Sequence, residues 1–298
     1  MPNHVTNILT FKGKEKEIKK LRNAIKGKFS DGEEMFIDFN KIIPRPKSLD
    51  ITSGSSTDYG VAVIMFREQN NPSRLIPVMQ YPWVKNEGIK DVESLANYLV
   101  KNNMADLKEG RLAIENLQKY GHMDWYSWSN ANWGTKWNAY SQSSDDLHTI
   151  NFDTAWATPF PVIQRLSEMF PEVEIHLKYA DEDFSHNCGE VTLVGGNEIS
   201  SNIPEGGSME AILLAGEVQG FDLDRFLDYY GESDDQEFIL SLIQAMTEKY
   251  SIGEIIDMAV SEDYHVSQDF LEVLKEVATN FEAYEHLEKI DKRLQEIE

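Results

Sequence analysis

Hydrophobic and polar positions alternate from Val5 to Phe11, with Val5, Leu9 and Phe11 on one side and Thr6, Ile8 and Thr10 on the other. A period of two predicts a strand. From Lys14 to Lys26 the period lengthens. Ile18, Leu21, Ala24 and Ile25 share a helical face, Lys and Arg take the outer one, and Gly27 supplies a stop. Met35, Ile37 and Phe39 alternate with Phe36 and Asp38, predicting a second strand closed by Pro44 and Pro46. Much later Ile150, Phe152, Thr154 and Trp156 alternate with Thr149, Asn151 and Asp153. Thr158-Pro159-Phe160-Pro161 then predicts a helix start with a capping hydroxyl, and Val162, Ile163, Leu166, Met169 and Phe170 supply its buried stripe. Val173, Ile175, Leu177 and Tyr179 form a fourth alternating strand. Glu190 to Val194 is one more, ended by Gly195-Gly196.

Two strand–helix–strand units in succession predict the split βαβ plan. Its product is an antiparallel sheet in the order 4-1-3-2, with both helices on one face. Residues of about 47–147 read as an insertion. It holds a short apolar run at Val61–Phe66 and helices over Asp91–Asn102 and Leu107–Tyr120, the second ended by Gly121. From Ser208 the pattern is helical throughout. Capping boxes are predicted at Ser233–Gln236 and Ser251–Glu254, and Phe270, Leu274, Val277, Phe281 and Tyr284 form a seam. The expected architecture is therefore α+β. A ferredoxin-like domain occupies 1–206, interrupted by the helical insertion, and an acidic all-helical domain occupies 207–298, packed as a unit or as a cover for the open sheet face.

Composition narrows the function. The chain has 298 residues, 41% hydrophobic and 27% charged, which are globular values. No apolar run approaches a bilayer span, and the first residues show no secretory h-region. A lone cysteine, Cys188, makes neither an internal disulfide nor a Cys-rich zinc site. A soluble, cytoplasmic protein without a membrane partner is expected. Fifty-one acidic residues face 28 basic ones, a formal net charge of −23. Residues 1–28 carry a net +6, whereas residues 197–298 carry 25 acidic and six basic residues, a net −19. Such a surface repels phosphate backbones and steers basic partners toward the C-terminal part.

Three groups of residues carry candidate chemistry. Four of the six tryptophans fall between Trp125 and Tyr140. Trp125, Trp128, Asn132, Trp133, Lys136, Trp137 and Tyr140 form either a mini-core clamping the insertion to the sheet or a recognition face. In the second case the rings supply contact area and Lys136 meets an anionic group. On the open sheet face Asp38, Asn151, Asp153, His176 and Lys178 are brought toward one another. The predicted His–Asp separation is nearer two strand spacings, about 10 Å, than the contact acid–base catalysis needs. Asp181, Glu182, Asp183, His186 and Cys188 cluster within eight residues and read as a polar hairpin rather than a metal site. There is no nucleophile elbow, P-loop or HExxH. No cofactor and no metal are expected, and the balance is against an enzyme.

Met1-Pro2-Asn3-His4-Val5-Thr6-Asn7, Asn132-Trp133-Gly134-Thr135-Lys136-Trp137, Thr154 through Pro161, and Tyr179-Ala180-Asp181-Glu182-Asp183 with Gly189-Glu190 resemble, in order, the YubB-type ferredoxin-like family. This family, also called Api-like, is found in phages, plasmids and genomic islands. The resemblance spans roughly residues 1–200. It implies a ferredoxin-like fold and carries over no catalytic residue. The expectation is a non-catalytic accessory protein of a mobile genetic element, acting by protein–protein binding on a basic or DNA-handling partner. Anti-defence action through an acidic surface that mimics nucleic acid is its sharper form. The alternatives are nucleic-acid binding through the tryptophan segment, which the charge disfavours, and an enzyme using His176 or the 181–188 cluster.

Overall fold

β1 (His4–Lys12) lies inside a six-stranded antiparallel sheet, and α1 (Glu15–Ile25) returns across one face with Ile18, Leu21 and Ile25 fully buried. The computed structural model describes residues 3–29, 31–220, 223–247 and 249–297; Met1 and Pro2, which open the resemblance, lie outside them. β2 (Gly27–Lys28) and β3 (Glu34–Met35) form a separate two-stranded ribbon, after which the chain turns into α2 (Phe39–Ile42). Five helices follow: α3 (Ser55–Gln69), α4 (Pro82–Asn86), α5 (Val92–Lys101), α6 (Leu107–Tyr120) and α7 (Trp125–Asn132). The chain re-enters the sheet through β4 (Tyr140–Ser143) and β5 (Thr149–Ala155). It crosses over by α8 (Phe160–Met169) and completes the sheet with β6 (Glu174–Asp181), β7 (Gly189–Val194) and β8 (Asn197–Asn202). The order is β4-β5-β1-β6-β7-β8.

The two distant halves meet in this sheet. β1 pairs with β5 from His4↔Ala155 to Thr10↔Thr149, and with β6 from Val5↔Asp181 to Lys12↔Glu174. The run β6-β1-β5-β4 has the expected 4-1-3-2 order, with one correction. The second strand is β4, not Met35–Phe39, so the long excursion falls between α1 and β4. Met35, Ile37 and Phe39 are buried as their alternation requires. Met35 pairs with Gly27 in the β2–β3 ribbon, whereas the backbone of Ile37 and Phe39 is held by side-chain amides: Asn138 Oδ1 accepts from the Phe39 N–H at 2.9 Å, and Gln142 binds Ile37.

One sheet face buries Val5, Leu9, Phe11, Ile150, Phe152, Ile175, Leu177, Val191 and Leu193 against α1 and α8. Asn7 is fully buried among them and fully bonded. Its amide nitrogen donates to the Val5 carbonyl at 2.8 Å and to Thr154 Oγ1 at 2.9 Å, and its oxygen accepts from Thr158 Oγ1 at 2.6 Å. Thr158 is thereby spent. It does not cap α8, which starts after Pro159 with no side-chain cap. Trp156 also departs from expectation. Ile150, Phe152 and Thr154 are buried, but the chain leaves β5 at Ala155 and Trp156 is 43% exposed.

In the excursion, Val61–Phe66 is helical, within α3. α3 crosses α6 at Gly60 and Gly110. A Cβ on Gly110 would lie 2.5 Å from the Gly60 carbonyl carbon, so only glycine allows the approach.

The C-terminal helices are α9 (Met209–Gln219), α10 (Leu223–Tyr230), α11 (Gln236–Thr247), α12 (Ile252–Ala259), α13 (Gln268–Asn280) and α14 (Leu287–Ile297). Their core includes Ala180, Phe184 and Cys188 and takes in Ile8 at its edge, so these helices pack on the sheet's second face. Ser251 and Glu254 form a capping box. At the other expected box, Asp235 accepts from the Phe238 N–H, so Ser233 is not the cap. The seam holds at Phe270, Leu274 and Val277 and ends there, since Phe281 and Tyr284 are exposed. Among the described residues no helix is long and apolar enough to cross a membrane.

Candidate functional site

Asp124 caps α7 by accepting from the Ser127 N–H, and the helix divides the tryptophan segment by face. Trp128 and Trp133 turn inward, pack edge to face at 5.6 Å and join the sheet core, where Trp133 also meets Phe39 at 5.7 Å. Trp133 Nε1 donates to the Ile43 carbonyl at 2.9 Å, so its one polar atom is satisfied. Asn132 turns back to the Trp128 carbonyl. Asn138 Nδ2 donates to Asp38 at 2.8 Å while its oxygen serves the 38–39 backbone. Trp128, Trp133, Asn132 and Asn138 are thus structural.

The remaining rings face outward. Trp125 is half-buried, Tyr126 and Trp137 are exposed, and Trp156 joins them from the end of β5. Trp156 stands at φ 70°, a left-handed conformation that costs a bulky L-residue roughly 1–2 kcal/mol. Its N–H donates to the Asn3 carbonyl at 2.9 Å. Thr135 pins the facing loop, its hydroxyl donating to the Ala155 carbonyl at 2.8 Å. Between these elements the Lys136 ammonium lies 4.6 Å from the Trp137 ring centre, 4.7 Å from Trp156 and 5.8 Å from Tyr126. Among the described residues it makes no hydrogen bond and no ion pair.

Two recesses meet at Trp125 and Trp137. One, of about 390 Å³, is lined by Ser53, Trp125, Tyr126, Lys136, Trp137 and Trp156. The other, of about 530 Å³, adds Asn40, Arg45 and Asp50. Arg45 stacks 5.2 Å over Trp133 and pairs with Asp50 at 2.6 Å. Beside the first recess Trp137 packs on Tyr140, and the Tyr140 hydroxyl donates to the Thr154 carbonyl at 3.0 Å. The His4 Nδ1 lies 2.7 Å from the same hydroxyl. Burial, with Asp153 and Glu182 nearby, pushes the Tyr140 phenol up to about 12.

The five open-face residues do not form one site. Asp38 is off the sheet and caps α2. Asn151 and Lys178 both stand opposite Ile8, one strand to either side, and Asp153 accepts from Thr6 Oγ1 at 3.2 Å. His176 lies 3.2 Å from Glu190, not against an Asp. Lys178 joins Glu190 at 3.5 Å and Glu217 of α9 at 2.5 Å, which closes that half of the face. In the 181–188 turn Asp181 accepts from Asn3, Asn187 and the Asp183 N–H, while Cys188 is buried. Burial pushes the Cys188 thiol up, the wrong direction for a nucleophile. Among the described residues no three His, Cys, Asp or Glu side chains are grouped to hold a metal ion.

Sequence reasoning missed Tyr126, Trp156, Arg45 and His4. The strand alternation puts Trp156 on the core side with Ile150, Phe152 and Thr154. Only its backbone angle reveals otherwise.

Residues 136–222 match a protein-family model described as the ferredoxin-like domain in Api92-like protein. The match begins at Lys136, runs through β4 to α9 and contains every strand of the large sheet except β1. No curated protein matches the chain. The crystal structure of a protein Api92 from Yersinia pseudotuberculosis is similar at 11% identity, covering 70% of this chain and 100% of that one, with a TM-score of 0.30.

Proposed function

We propose that this chain acts by binding another protein rather than by catalysis, with Trp125, Tyr126, Trp137 and Trp156 around Lys136 as the contact surface. The observation that supports this is the outward cluster itself. Three aromatic rings, those of Tyr126, Trp137 and Trp156, converge on one cation, Trp125 packs on Tyr126 beside them, and Trp156 is held in a left-handed backbone conformation. Aromatic anchors in a recess are the residue types that dominate protein interfaces. The net charge of −23 opposes a nucleic-acid partner and steers basic, DNA-handling proteins toward the acidic C-terminal part. The YubB-type assignment, the mobile-element setting and an anti-defence role are part of this proposal and rest on the sequence motifs.

A photo-crosslinking side chain placed at Tyr126, and for comparison at Arg165 on the exposed side of α8, tests the reading in the host cell. Protease-sensitive adducts at position 126 alone, lost when Trp137→Ala and Trp156→Ala are added, are expected. Adducts at neither position, or adducts removed by nuclease, would overturn it.

A further inference from the structure

We infer that the recess at Lys136 accepts one carboxylate flanked by aromatic or aliphatic side chains, presented by a peptide segment of the protein partner. The inference rests on the protein-binding reading above and names what that surface recognises. The Lys136 side chain is half-buried and its ammonium lies against three rings, yet no described residue accepts any of its three N–H groups. The rings orient and partly desolvate the charge, but they cannot replace the oxygen acceptors that water or an anion supplies. The carboxylates of the surrounding elements are engaged elsewhere: Asp50 on Arg45, Asp38 on Asn40 and Asn138, Asp181 on Asn3 and Asn187.

A single unpaired cation calls for a single anionic group. Arg45, the other cation of the adjoining recess, is already paired. In this recess a run of phosphates would meet Lys136 as the one cation among the described lining residues, in a chain of net −23. Nor is a phosphate cradle present at the nearest helix start, since Asp124 occupies the α7 N-terminus. The ligand's apolar part has Trp125, Trp137 and Trp156 to lie on, in a recess of about 390 Å³.

The probes are the peptide Ac-Gly-Phe-Asp-Phe-Gly-NH2, its Asn counterpart and a ten-nucleotide oligothymidylate. Each is titrated into the full chain and read by the indole N–H resonances of the outward tryptophans. The Asp peptide should bind about five-fold more tightly than the Asn peptide, the size of one partly exposed charge pair. Lys136→Met should abolish that difference while the Asn peptide binds as before, which separates a lost charge from a lost fold. Equal binding of the two peptides to the unaltered chain would overturn the ligand class and leave the protein-binding reading standing. Shifts with the oligonucleotide alone would overturn both. No shift with any probe would overturn the inference, and the crosslinking result would then decide the protein-binding reading.

Discussion

Gln142 holds both backbone polar groups of Ile37: the Ile37 N–H donates to Oε1 at 2.9 Å, and Nε2 donates to the Ile37 carbonyl at 2.9 Å. A side chain of the edge strand β4 thus does for residue 37 what a neighbouring strand would do. Gln142→Ala leaves both groups unmade beside a fully buried Ile37. The cost should be about 2–3 kcal/mol, from one or two orphaned backbone groups. Gln142→Glu retains the acceptor but loses the donor. Its urea midpoint at pH 7 should lie well below that of the unaltered chain and recover part of the gap near pH 4, where the carboxyl regains a proton. An unchanged midpoint for the alanine variant would show that the amide clamp contributes nothing.

This clamp also explains which parts of the fold were legible. Alternation reports which side chains are buried, and β1, β5, β6 and β7 alternate because each lays one face on the α1–α8 core. Met35, Ile37 and Phe39 alternate for the same reason, but burial does not say what completes the backbone bonds, so the segment reads as one strand of the large sheet, whereas Met35 ends the short β2–β3 ribbon and Ile37 and Phe39 lie outside any ladder. The true second strand, Tyr-Ser-Gln-Ser, has no apolar pattern to announce it. In the candidate site, the density of tryptophan was visible. Its division was not, because facing depends on where α7 starts and on the left-handed turn at Trp156.

The two classes of tryptophan should separate by stability. Trp133→Phe removes buried ring volume and the donor to Ile43, and should cost about 2–4 kcal/mol. Trp137→Ala, at a ring 37% exposed, should cost less than about 1 kcal/mol while abolishing the crosslink at position 126. Chemical denaturation of both variants decides this, and a Trp137 cost equal to that of Trp133 would place Trp137 in the core.

Alanine should destabilise at Gly110, reversing its usual effect. In an open helix Gly→Ala is worth about 1 kcal/mol of added stability. Here the new methyl would meet the Gly60 backbone at 2.5–2.9 Å, with no flexible side chain to yield. Pushing α3 and α6 apart should cost about 1–3 kcal/mol, visible as a lowered Tm.

Stability should fall at high pH through Tyr140. Its phenol sits at about 12 in the folded chain against 10 when free. Below pH 10 both states keep the proton and this group confers no pH dependence. Between pH 10 and about 12 the unfolded chain loses its proton first, so each step upward removes stability. Tyr140→Phe should flatten that limb of the curve, at some cost near pH 7 from the lost bonds to Thr154 and His4. An identical alkaline slope in the two proteins would contradict the assignment.

Trp156 offers a test of stored strain. Alanine at φ 70° keeps the left-handed penalty of roughly 1–2 kcal/mol, whereas glycine escapes it. Glycine in turn gives the unfolded chain more freedom to lose, about 0.5–1 kcal/mol. The balance should leave Trp156→Gly as stable as Trp156→Ala or more so, the reverse of the order at an ordinary position. Both variants lack the ring over Lys136 and should lose the crosslink at position 126 equally. If alanine proves the more stable by its usual margin, the backbone at 156 is relaxed, and the ring's outward placement no longer needs function to explain it.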